Sequence, residues 1–74
     1  MWSKGNIEIN GKEVQYWVKH YEEGSELGID GGRISKLECR VDDVKILNYD
    51  RGWDKKPTTK IGKDAYTAFL KMYN

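Results

Sequence analysis

The 74-residue sequence has one cysteine, one histidine, one proline and one phenylalanine. A lone cysteine, Cys39, excludes an internal disulfide framework, and with only His20 beside it the chain cannot assemble a zinc cage. Long apolar runs are also missing. Uninterrupted stretches reach two or three residues, too short for a transmembrane helix or the core of a signal peptide. Nor is there an excess of one charge: 13 Lys and Arg against 12 Asp and Glu leave a net +1, which argues against strong, indiscriminate duplex binding. Internal repeats and low-complexity tracts are absent. What remains is 38% hydrophobic and 34% charged, the balance of a globular chain. A chain of this length holds one small core, so residues 1–74 are expected to form a single soluble, cytoplasmic domain with no membrane span and no small-molecule cofactor.

The chain opens with alternation. Gly5, Ile7 and Ile9 share one side, and Lys4, Asn6 and Glu8 the other. Asn10-Gly11 follows, the strongest short-range hairpin signal, because both central residues of a type I′ turn need positive φ. The run from Lys12 to Tyr21 is rich in β-branched and aromatic residues and completes the hairpin. A two-residue loop sets Ile9 opposite Lys12, Ile7 opposite Val14, Gly5 opposite Tyr16 and Ser3 opposite Val18. The other face then carries Trp2, Lys4, Trp17 and Lys19, with Glu8 opposite Glu13. Glu22 to Gly32 reads as an acidic, glycine-rich connection without regular structure, either a loop or a crossing of the sheet.

Arg33 to Val41 and Val44 to Tyr49 read as a second hairpin around Asp42-Asp43. Simple alternation sets Val41 opposite Val44, Cys39 opposite Ile46 and Leu37 opposite Asn48 on the core face. Ile34, Lys36, Glu38, Arg40, Lys45, Leu47, Tyr49 and Arg51 are left on the other. The stretch from Tyr49 to Pro57 is expected to end the sheet. Thr58 or Thr59 then caps a helix from Lys60, whose stripe of Ile61, Ala65, Ala68, Phe69 and Met72 is flanked by Tyr66 and Tyr73. The expected fold is α+β: two layers, with a four-stranded antiparallel sheet of two hairpins and one C-terminal helix packed on one face.

Two phrases, GIDGGRISKL from Gly28 to Leu37 and NYDRGWDKKPT from Asn48 to Thr58, stand with GNIEINGK from Gly5 to Lys12 and VKHYEEGSELG from Val18 to Gly28. Together they cover nearly the whole chain and resemble a family of small proteins of unknown function from Firmicutes bacteria, their phages and mobile elements. The resemblance implies a bacterial cytoplasmic or phage-associated accessory protein. It brings no activity, cofactor or catalytic residue to carry over.

Cys39 and His20 are the one nucleophile and base that could be paired, but Cys39 is expected among core residues and no orienting group or oxyanion loop accompanies them. The carboxylates of Glu22, Glu23, Glu26 and Asp30 lack the alternating spacing of a calcium loop, so no metal site is expected. No enzymatic activity is expected either. Arg51 and Trp53 could hold an anion and a ring, but a turn at Gly52 with Trp53 plugging the edge between sheet and helix is preferred.

The open sheet face carries the functional reading. Lys4, Lys19, Lys36, Arg40, Lys45 and Arg51 oppose Glu8, Glu13 and Glu38, with Trp2, Trp17, Tyr49, Ile34 and Leu47 among them. The candidate binding residues are Trp2, Trp17, Lys36, Arg40, Lys45, Tyr49, Arg51 and Trp53. Trp, Tyr and Arg anchor protein interfaces, so the leading expectation is a non-enzymatic module binding a protein partner, a second copy of itself included. The alternative is single-stranded nucleic acid on the same face, bases stacking on the aromatics and phosphates meeting the cations.

Overall fold

In the computed structural model, which describes residues 2–74, the chain begins as a hairpin of β1 (Trp2–Ile9) and β2 (Lys12–His20). Asn10 and Gly11 take φ of 53° and 78°, the left-handed pair that a type I′ turn requires. All four expected pairs form, from Ile9 with Lys12 to Ser3 with Val18. A second hairpin joins β3 (Ile34–Val41) to β4 (Val44–Asp50), and Asp42 and Asp43 supply its turn at φ of 50° and 64°. The sheet has five strands, not the expected four: β5 (Trp53–Lys55) folds back antiparallel onto β4. Arg51, at φ of 55°, reverses the chain there, and the Asp50 amide donates to the Gly52 carbonyl at 2.8 Å. Three residues are too few to display a period of two, so composition gave no sign of this strand. Strand order is β1-β2-β3-β4-β5 throughout, so the long connection returns to the neighbouring strand and does not cross the sheet.

Bulges set the faces of β3 and β4. Arg40 pairs with Lys45 but Cys39 pairs with Leu47, which leaves Ile46 as the extra residue. From there every β4 side chain lies on the face opposite to the one that unbroken alternation predicts. Leu47 and Tyr49, expected outside, are in the core, and Asn48, expected inside, is on the outer face. A second bulge inserts Ser35 between Lys19–Lys36 and His20–Ile34, and Ile34 is fully buried instead of exposed. The physical reason is the same in both places: one residue of slip exchanges an exposed apolar side chain for a buried one. Burial of a Leu or Ile is worth about 1.5–3 kcal/mol, enough to outweigh the disrupted ladder.

The helix α1 (Lys60–Tyr73) covers the core face of the sheet. Thr59 is its cap, its Oγ1 accepting from the Gly62 amide at 3.1 Å. Gly62, Ala65 and Phe69 are the buried positions. Phe69 packs on Tyr16 with ring centroids 4.9 Å apart, whereas Met72, expected in the apolar stripe, is exposed. Gly62 brings the first turn close to β4, since a Cβ there would lie 3.3 Å from the Ile46 carbonyl oxygen.

The 22–32 connection is more ordered than its composition suggests. A short 3₁₀ turn at Ile29–Gly31 drives Ile29 into the core, where it is 1% exposed. Gly28 lies against the Gly32 carbonyl with no room for a side chain. Three long-range hydrogen bonds fix the plug. Tyr49 Oη donates to the Leu27 carbonyl at 2.8 Å, Tyr66 Oη donates to Asp30 Oδ2 at 3.0 Å, and Asn74 Nδ2 donates to the Ile29 carbonyl at 3.0 Å.

Candidate functional site

With the helix on one side, the opposite face of the sheet is open, and the strand register arranges it in rows. Trp2, Lys19, Lys36 and Asp50 stand across β1 to β4 in one row. Lys4, Trp17, Glu38 and Asn48 form the next, and Asn6, Gln15, Arg40 and Lys45 the third. At the hairpin end Glu8 faces Glu13. Between the first two rows lies a shallow hollow of about 430 Å³, bordered by Trp2, Trp17, Lys36, Glu38, Arg40 and Asp50. Trp2, 56% exposed, forms its outer wall.

Cations and rings on this face hold one another. The Lys19 ammonium lies 5.8 Å and the Lys36 ammonium 5.9 Å from the Trp2 ring, and the Arg40 guanidinium lies 5.5 Å from the Trp17 ring. Glu38 gathers two cations, Arg40 Nε at 2.6 Å and Lys45 Nζ at 3.7 Å. Asp50 takes Lys36 Nζ at 3.7 Å and Arg51 Nε at 3.5 Å. Asp54 accepts from Asn48 Nδ2 at 3.1 Å. The bulge at Ile46 therefore brings Asp50 to the face, and Asp54 arrives with β5. With Lys55 opposite Asn48, seven cations meet five carboxylates there instead of six meeting three, and the expected excess of positive charge falls from three to two. Lys19 also acts at the rim, where its ammonium beside Tyr21 holds that phenol below its ordinary range.

Of the eight candidate residues, Trp2, Trp17, Lys36 and Arg40 are brought together around the hollow, which the largely buried Tyr49 also borders, and Lys45 joins them through Glu38. Arg51 sits at one end, 61% exposed at its side chain, and reaches the group only through Asp50. Tyr49 and Trp53 belong to the other side of the sheet. Tyr49 is buried, and Trp53 stands edge-on between Tyr49 and Tyr66 with centroids 5.1 and 5.4 Å away. Trp53 thus plugs the seam between sheet and helix, and neither ring offers a π-face to the open surface. Asp50, Asn48 and Lys19 belong to the site but were not among its candidates. Asp50 and Asn48 were hidden by the bulge, whereas Lys19 follows from the hairpin register and was already on this face.

Cys39 and His20 do not meet. Cys39 pairs with Tyr16 and His20 with Ile34, four positions along β2, which at strand rise is about 13 Å. Burial pushes the Cys39 thiol up to about 12, with the Glu38 carboxylate adding to the shift. A neutral, enclosed thiol behaves as a small hydrophobe. His20 instead packs against Tyr73 in a tilted arrangement, centroids 4.6 Å apart. No group of three or more metal-ligating side chains is gathered among the described residues, and no helix among them is long and apolar enough to cross a membrane.

No curated protein and no solved structure matches the chain. Residues 1–74 match in full a family described as a domain of unknown function (DUF7678), and the chain belongs to that family.

Proposed function

We propose that this domain is a non-enzymatic interaction module whose open sheet face receives a protein partner. The observation that carries the reading is the hollow between Trp2 and Trp17, walled by paired cations and carboxylates on the side of the sheet away from the helix. Two tryptophans and an arginine are the side chains that most often anchor protein interfaces. Acids and bases in equal measure around them suit a mixed polypeptide surface better than a polyanion. The alternative, single-stranded nucleic acid, loses two supports: Tyr49 is buried, and Lys36, Arg40 and Lys45 each already meet a carboxylate. A bacterial cytoplasmic setting, on a phage or mobile element, is the context this reading assumes.

The test compares the wild type with Trp17→Ala and Arg40→Ala, each first checked for an unchanged melting temperature within a few degrees. A protein captured from host extract by the wild type, and lost with both variants, is the expected result. A labelled single-stranded oligonucleotide whose anisotropy rises at low salt, falls with added salt and is lost in Trp17→Ala would transfer the face to nucleic acid. Equal capture by wild type and both variants would remove the face from the function altogether.

A further inference from the structure

The face described above ends at β1, and β1 is an edge strand of eight residues with no neighbour on its outer side among the described residues. An uncovered edge offers a row of free backbone groups, which proteins normally blunt with charge, proline or a bulge. β1 has neither proline nor bulge, and its pairing with β2 is unbroken from Trp2 to Ile9. Its sequence contains a symmetric pattern instead. Around Asn6, Lys4 and Glu8 stand two positions away on either side, on the same face and opposite in charge.

Hairpin geometry fixes which backbone groups of β1 are free. The two-residue turn is closed by Ile9 and Lys12, the hydrogen-bonded pair next to a type I′ turn. Alternation then turns the N–H and C=O groups of Ser3, Gly5, Ile7 and Ile9 towards β2. Those of Trp2, Lys4, Asn6 and Glu8 point away from the sheet. The outward groups belong to the same residues that carry the symmetric charge pattern.

We propose that two copies of this chain pair through β1, antiparallel about a two-fold axis at Asn6, to form a continuous ten-stranded sheet. In that register Asn6 faces Asn6 of the second copy, and Lys4 faces Glu8 twice, once on each side of the axis. Every one of these pairs is of the hydrogen-bonded kind. On the core side the half-buried Ile7 of one copy comes opposite Gly5 of the other, where the Tyr16 side chain lies over the glycine. Sliding by two residues in one direction sets Lys4 against Asn6 and Glu8 against Trp2. Sliding in the other sets Glu8 against Asn6 and Lys4 against Asn10, so only one register makes both charge pairs. The occupant is a second copy because its strand is complementary to itself in backbone pattern and charge. The proposal uses the edge and not the hollow, and it stands independently of the partner reading of the face.

Sedimentation equilibrium across a wide concentration range tests it, on the wild type, Lys4→Glu, Glu8→Lys and an equimolar mixture of the two variants. Both positions are exposed, so the variants should fold, which circular dichroism verifies. The wild type should dimerise, and each single variant should associate roughly tenfold or more weakly because like charges now meet at both pairs. The mixture should recover the dimer as a heterodimer, since one chain then presents only carboxylates at the two positions and the other only ammonium groups. A wild type that stays monomeric at the highest concentration, a dimer indifferent to both single changes, or a mixture that fails to recover association would each overturn the proposal. A monomer would leave the partner reading of the face untouched.

Discussion

The last residue of the chain is the most informative place to perturb the fold. Asn74 Oδ1 accepts from the Ile34 amide at 3.1 Å and its Nδ2 donates to the Ile29 carbonyl at 3.0 Å. One side chain thereby ties the start of β3 to the buried plug of the 22–32 connection. Asn74→Ala removes both bonds. The Ile29 carbonyl retains the Gly32 amide at 2.8 Å, so the heavier loss is the Ile34 N–H, on a residue with no exposure. An orphaned buried donor costs about 1–3 kcal/mol and the second bond roughly 0.5–1 more, which puts the change at about 2 kcal/mol. For a domain of this size that corresponds to a melting temperature lower by roughly 8–16 °C. Gly32→Ala should act through the same bonds. Its Cβ would collide with the Asn74 amide, while its backbone, at φ of −94°, is open to any residue, so the amide must swing away. The assay is urea denaturation of both single variants and the double. The double should be destabilised no more than Asn74→Ala alone, giving a coupling of about 2 kcal/mol. Additive losses, or an Asn74→Ala change below about 0.5 kcal/mol, would refute the account of the plug.

Further outcomes follow from the bulge, the turn and two groups that hold their protons tightly. Leu47→Ala should cost about 2–5 kcal/mol and Asn48→Ala less than about 0.5, measured by urea titration; the reverse order would restore unbroken alternation in β4. Asp43→Gly should raise stability by about 0.5–1 kcal/mol, because a left-handed residue at φ of 64° carries a Cβ penalty that glycine lacks; a loss would show that the Asp43 side chain holds the turn. Cys39 and Tyr66 are both pushed up to about 12, the thiol by burial and the phenol by burial and by donating to Asp30. The folded state therefore holds these protons more tightly than the unfolded chain, and the contribution of these two groups to stability should be complete below about pH 9 and be lost as pH rises from there towards 12. Melting temperatures across that range check the sign, and Cys39 should resist a thiol reagent at about pH 8 until the protein is unfolded.

The legible parts of this fold were those decided by neighbours in sequence. Asn10-Gly11 dictates its own turn, the turn dictates the β1–β2 register, and the register places Trp2, Lys4, Trp17 and Lys19 on one face. Thr59 and the change of period after it mark the helix in the same way. What was hidden depends on comparing distant parts of the chain. The bulge at Ile46 exists because Leu47 and Tyr49 gain a helix and a plug to pack against, and neither is visible within β4 itself. Ile29 packs into a core assembled from distant elements, and Asn74, 45 residues away, bonds its carbonyl.

The same slip decides the character of the candidate site. Unbroken alternation would have set Leu47, Tyr49 and Arg51 on the open face, an apolar and cationic surface suited to stacking bases beside phosphates. The single extra residue at Ile46 withdraws both apolar side chains into the core and brings Asn48 and Asp50 forward. Lys36 then has a carboxylate within 3.7 Å, and the hollow beside Trp2 and Trp17 is lined by groups of both signs. A β-bulge that serves the core thus also rewrites the surface behind it, because in a sheet one strand has only two faces to give. For a two-layer domain of this size, core packing and binding chemistry are therefore set by one register, and a variant that moved the bulge would change both together.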